Sequence, residues 1–111
     1  MKPIDRMKNA LAGAGVDARE AAAYAGKCRA PYAVVYSGGD VPLTPSTRRI
    51  VVNVLLHVPA SKPEQMRPLR EQTRAAARRA GLFDLQADED GVMENYEALT
   101  AQMSFYALGG M

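Results

Sequence analysis

The chain has 111 residues, 48% of them hydrophobic and 23% charged, which is the balance of an ordinary globular domain. Its longest apolar run falls short of the roughly 18 residues a membrane-spanning helix needs, and residues 1–15 carry charges inside their apolar periodicity, unlike a signal peptide. The single cysteine, Cys28, excludes an internal disulfide and fits a reducing compartment.

A net charge of +2 conceals a segregated distribution. Residues 1–61 carry +4, residues 62–80 carry +4, and residues 81–111 carry −6 with no basic side chain. Opposed ends suggest complementary surfaces more than a uniformly basic nucleic-acid binder.

In chain order, the first predicted element is an amphipathic helix over residues 3–13. Ile4, Met7 and Leu11 share one face, and Gly13 and Gly15 end it. Asp17-Ala18-Arg19-Glu20 resembles a capping box, and Ala21, Ala22 and Ala23 favour a short second helix before Gly26. Residues 31–37, PYAVVYS, read as a strand with Tyr32, Val34 and Tyr36 on one face, ended by Gly38-Gly39-Asp40. Residues 38–47, rich in glycine and proline, read as a loop. It is longer than a usual hairpin connection, so it is a candidate functional segment or one with a short structure of its own.

The run from Arg48 to Val58, RRIVVNVLLHV, is the one around which the chain is organised. Ile50, Val52, Val54, Leu56 and Val58 alternate with Val51, Asn53, Leu55 and His57. This period of two predicts a central strand with one buried face and one mixed face. Pro59 stops it. Ser61 and Pro63 precede a helix that is clear from Met66 onward, with Pro68 near its first turn and Gly81 at its end. Met66, Leu69, Thr73, Ala76, Ala77 and Ala80 form a small, flat inner face, with the opening strand as its expected partner. Arg67, Arg70, Arg74 and Arg78 form a stripe outside. Residues 82–87 read as a short strand and Asp88-Glu89-Asp90-Gly91 as a turn. Residues 96–108 read as a strand with Leu99, Ala101, Met103, Phe105 and Ala107 on its apolar face. The last two strands are expected to pair as an antiparallel hairpin with the acidic turn at its tip. The predicted fold is a single α+β domain over residues 1–111. It has a mostly antiparallel sheet of about four strands packed against one main helix, with an N-terminal helix.

Groups for chemistry are sparse. His57 is the only histidine and reads as packed or at an interface, because catalytic use needs a partner within hydrogen-bond reach. Cys28 lies between Lys27 and Arg29, a setting that can lower a thiol pKa, but no histidine accompanies it. Zinc spacing is absent, and the acidic turn fails the twelve-residue calcium pattern. The expectation is therefore no enzyme, no cofactor and no metal. The arginine stripe has three readings: phosphate contact, a solvated helix face, or docking onto acidic residues. Those residues belong either to the same chain or to the next subunit. The candidate subunit-interface residues are Arg67, Arg70, Arg74 and Arg78 with Asp88, Glu89, Asp90 and Glu94. Asn53 and His57 join them from the mixed face of the central strand.

Taken together, a short N-terminal helix, Pro31–Tyr36, the Gly39-Asp40 loop, the long strand Ile50–Val58, the helix end Leu69–Gly81 and the segment Glu94–Tyr106 form a familiar order. It resembles the small tail-terminator and head-to-tail joining proteins of tailed bacteriophages, from about residue 4 to residue 108. The resemblance is one of order and spacing, without a catalytic motif. It implies an α+β fold that assembles as a ring, commonly a hexamer, which caps the completed tail tube and joins it to the head connector. The implied partners are copies of the chain itself, the tail tube protein and a head-completion or connector protein, with no membrane and with nucleic acid only incidental. The implied location is the virion, and the host cytoplasm during assembly. Another neck or minor tail component is an alternative. A small nucleic-acid-binding domain is a second, using the arginine stripe and stacking bases on Tyr32 and Tyr36.

Overall fold

The computed structural model describes residues 1–19, 28–93 and 97–110. In chain order the elements are α1 (Pro3–Gly13), β1 (Ala18–Arg19), β2 (Tyr32–Thr44), β3 (Thr47–Pro59), α2 (Met66–Arg79), β4 (Phe83–Asp84), β5 (Glu89–Met93) and β6 (Ala98–Gly110). One 3-10 turn, Pro63–Gln65, leads into α2.

β3 is the middle of the sheet. It pairs antiparallel with β2 on one side and with β6 on the other, through Pro59↔Ala98 at one end and Thr47↔Gly110 at the other. β1 adds a short parallel strand outside β2, and β4 and β5 lie end to end along the outer edge of β6. The predicted α+β class is therefore correct, with six strands among the described residues instead of about four.

The alternation read from the central run sets the layers. Val52, Val54, Leu56 and Val58 face the helices together with Ala33 and Val35 of β2 and Ala101, Met103, Phe105 and Ala107 of β6. Burying four such aliphatic side chains on β3 contributes on the order of 8 kcal/mol, an upper figure because the unfolded chain is already partly compact. α1 lies over β2 and β3 through Met7 and Leu11, and α2 lies over β3 and β6. The α2 inner face is as predicted, with Met66, Leu69, Thr73, Ala76 and Ala77 buried. Its partners are β3, β6 and α1, however, and not the opening strand, because α1 already occupies the space above β2. Both helices end in the same glycine motif. Val16 N–H donates to the Leu11 carbonyl and Gly15 N–H to Ala12; Leu82 N–H donates to Ala77 and Gly81 N–H to Arg78. Gly15 (φ 80) and Gly81 (φ 76) supply the left-handed residue this motif needs.

Three predicted elements are corrected. Residues 38–47 are not a loop: β2 runs on to Thr44 and turns back through Pro45-Ser46 into β3. Two register shifts, between Ser37 and Gly39 and between Pro42 and Thr44, absorb the irregular residues. Gly39 adopts φ 91 at the first shift, and a Cβ on Gly38 would sit 2.5 Å from Val51 Cγ1. Pro42 is tolerated because this stretch of β2 is a sheet edge. Second, Asp17-Ala18-Arg19 does not cap a helix. Ala18 and Arg19 pair with Ala33 and Val34, the Ala33 N–H donates to the Asp17 carbonyl, and the Asp17 carboxylate accepts from the Arg19 guanidinium. The predicted helix at Ala21–Ala23 lies outside the described residues. Third, the 82–87 strand shrinks to Phe83–Asp84, and the acidic residues are not a hairpin tip. Glu89 to Met93 pair with Gln102 to Ala98. Alternation was obscured there because four residues of the edge, 85–88, stand opposite two, Met103 and Ser104, with the Leu85 N–H donating to the Ser104 carbonyl.

Candidate functional site

The arginine stripe meets the acidic segment inside the chain. On α2, Arg70 and Arg74 are one turn apart, about 6 Å along the axis. On β5 and the residue before it, Asp88 and Asp90 are two residues apart, about 6.7 Å. These repeats match. Arg74 Nη2 donates to Asp88 Oδ2 at 2.9 Å, Arg70 lies 3.6 Å from the same oxygen, and Arg70 also pairs with Asp90. Asp88 is the better-shielded acid, its side chain 16% exposed against 75% for Asp90. Of the two arms of the docking reading, this is the one within the chain.

The other candidates are dispersed. Among the described residues Arg67 makes an i,i+4 pair with Glu71 at 3.5 Å, and it is almost fully exposed. Arg78 is exposed at the end of α2. Glu89 points to the opposite face of the sheet from Asp90, near Tyr36, whose hydroxyl is pushed up by burial and then by this carboxylate. Glu94 lies outside the described residues.

The mixed face of β3 divides in two. His57 is fully buried, so it belongs to the fold and not to a surface. Its ring stacks on Tyr32 at 4.4 Å with the planes 8° apart, and the Arg19 guanidinium lies over the Tyr32 ring, 4.2 Å from its centre. Burial lowers the His57 pKa, a hydrogen bond with the Leu55 backbone partly offsets this, and the nearby Arg19 charge adds a smaller lowering. Asn53 is half-buried and accepts a 2.7 Å hydrogen bond from Ser104 on β6. The Arg19–Tyr32–His57 stack had no sequence signal beyond the alternation of β2 and β3, since Arg19 was read as part of a helix cap. It also takes Tyr32 out of use as a base-stacking platform. Cys28 is buried too, and desolvation pushes its thiol pKa up, opposite to the lowering its basic neighbours suggested.

Two surfaces were not anticipated. An open pocket lies between α2 and β5 at the Arg70–Asp90 pair, with a volume of about 350 Å³, lined by Met66, Arg70, Asp90, Val92 and Leu99. At the other end of the sheet, Val41, Leu43 and Leu108 are exposed apolar residues on the extension of β2 and β6. Among the described residues no group of three metal-ligating side chains is assembled, and no helix is long and apolar enough to cross a membrane. No protein-family model matches the chain, and no curated protein matches its sequence.

Proposed function

We propose that the protein is a structural subunit of a tailed-phage or prophage neck, a tail terminator or head-to-tail joining protein acting as a ring. In this role it ends the tail tube and presents a surface to the head connector. The mechanism is steric and cooperative, and it needs no catalytic group. The resemblance in element order supports this reading, and so does the α+β fold that the resemblance implies. The observation that carries it is the extension of β2, β3 and β6 beyond the helices. Residues 37–46 are all exposed there, on a molecule 48 Å long and about 25 Å across. An uncovered three-stranded extension bearing apolar side chains is a surface suited to a neighbouring subunit.

The test is the solution mass of the purified protein at moderate salt, with negative-stain images. A ring is expected, commonly of six subunits. A monomer at tens of micromolar, both alone and when mixed with polymerised tail tube protein, overturns the reading. Capped tubes of fixed length in that mixture would assign the terminator role over another neck component.

A further inference from the structure

The helices cover one face of the sheet, and the other face carries a patch near the Pro45-Ser46 turn. Val41 pairs with Arg49 and Arg49 with Leu108, so these three side chains stand in one row across β2, β3 and β6. The next row holds Val51, Tyr106 and Phe83 on β3, β6 and β4. Alternation places both rows on the side of Asn53 and His57, away from the core residues Val52 and Phe105. Strands lie about 4.8 Å apart and the rows about 6.7 Å, so the six side chains are contiguous. Val41 is 39%, Leu108 57% and Phe83 56% exposed.

Arg49 lies inside this patch, with an aliphatic side chain on each side in its row. Its Nε is buried and without a hydrogen-bond partner, and no carboxylate pairs with it among the described residues. Its neighbour Arg48 points to the other face and pairs with Asp40 at 3.6 Å.

We propose that this face binds an extended segment of another protein that carries a carboxylate between apolar side chains, with the carboxylate on Arg49. The inference goes beyond the neck reading and does not depend on it. Charge complementarity selects the occupant. A purely apolar cover would bury Arg49 unpaired, which is strongly unfavourable, whereas a carboxylate satisfies it by charge-assisted hydrogen bonds. A second copy laid face to face about a two-fold axis would set Arg49 towards Arg49, a like-charge contact. A nucleic acid would supply negative charge but gain nothing from covering Val41 and Leu108. An extended segment fits because its side chains repeat about every 6.7 Å, the spacing of the two rows.

The probe is a short labelled peptide of alternating leucine and threonine with one central glutamate, compared by fluorescence anisotropy with its glutamine counterpart. The parent is expected to bind the glutamate peptide about ten-fold more tightly. Arg49→Gln should erase that preference, and Arg49→Lys should retain part of it. Leu108→Glu places a carboxylate beside Arg49 from within the chain, so it should also erase the preference. Circular dichroism of all three variants should match the parent. Equal affinity for the two peptides, or no binding of either, overturns the proposal. So does tighter binding of labelled oligothymidine that Arg49→Gln abolishes, which assigns the face to nucleic acid. A self-association of the parent that Leu108→Glu abolishes, without peptide binding, also overturns it and assigns the face to a second copy. None of the peptide results bears on the ring, which the solution mass tests separately.

Discussion

β3 passes through two regions that differ in what covers them. From Val51 to Pro59 it is sandwiched between strands and roofed by helices, and most of its side chains are buried. From Thr47 to Ile50 it has the same pairing on both sides but no roof, and its side chains are only partly covered. The cause is length. A 13-residue strand extends about 43 Å, whereas the 14 residues of α2 extend about 21 Å and the 11 of α1 about 16 Å. The helices pack side by side, so the sheet outruns them. Backbone pairing and the exposed Arg48–Asp40 ion pair therefore hold the extension, while pairing and burial together hold the body.

The largest effect that sharpens this contrast is a large-to-small change in the body. Leu56→Ala removes a fully buried side chain facing the helices and should cost about 3 kcal/mol. The matching change in the extension, Leu43→Ala, should stay within about 0.5 kcal/mol. Urea midpoints compare the two directly. Equal losses would mean that the extension is roofed in solution after all.

The junction between the regions comes next. Gly38 is where β2 bulges, and an added Cβ would meet Val51 Cγ1 at 2.5 Å and Asn53 Nδ2 at 2.7 Å. Val51 is buried within the sheet face and has little room to withdraw. Gly38→Ala should cost about 1–3 kcal/mol, as overpacking does. If the midpoint is unchanged, the two strands are not held this closely at the bulge.

How much was legible follows the same division. The body could be read because its periods are clean: residues 50–58 alternate without interruption, and α2 repeats small residues on one side. The extension was read as a loop because Gly38, Gly39, Pro42 and Pro45 are loop residues by local chemistry. Pro45 does lie in the turn, but Gly38, Gly39 and Pro42 fit a strand only where its outer edge is free, and whether an edge is free is a property of the sheet. The same limit applied to the candidate site. The charges of the arginine stripe and the acidic segment were visible in sequence. That they join within the chain depended on β5 lying beside α2, which the four residues set opposite two before it hid. The Arg19–Tyr32–His57 stack, half-exposed at Arg19 and buried at the two rings, needed β1, a strand of two residues, too short to show a period.

The ion pairs between α2 and β5 are a smaller effect. Asp88→Asn should cost about 1 kcal/mol at low salt and less at 1 M, since these pairs are partly shielded and screening weakens them. Asp90→Asn should cost less than Asp88→Asn, because Asp90 is far more exposed and serves one arginine where Asp88 serves two. Thermal midpoints at the two salt concentrations check the order. A reversed order would mean that Asp90, not Asp88, is the main tether of β5.

The smallest effect at neutral pH resides at His57, and it grows only on acidification. In the unfolded chain a histidine titrates near 6.5. In the folded chain burial holds the His57 pKa lower, a hydrogen bond with the Leu55 backbone offsets part of this, and the Arg19 charge adds a smaller lowering. Between those two values the unfolded state binds the proton and the folded state does not, so stability falls as pH drops. The contribution is fully present above pH 6.5, declines below it, and is lost once pH passes under the folded value. His57→Phe keeps a ring against Tyr32 and removes the titration. Chemical denaturation across pH 5 to 8 should therefore give a falling stability for the parent below 6.5 and a flatter profile for the variant. Identical profiles would show that the imidazole is solvated in the native state. The body of the sheet would then be open at the end where β1 and Tyr32 close it.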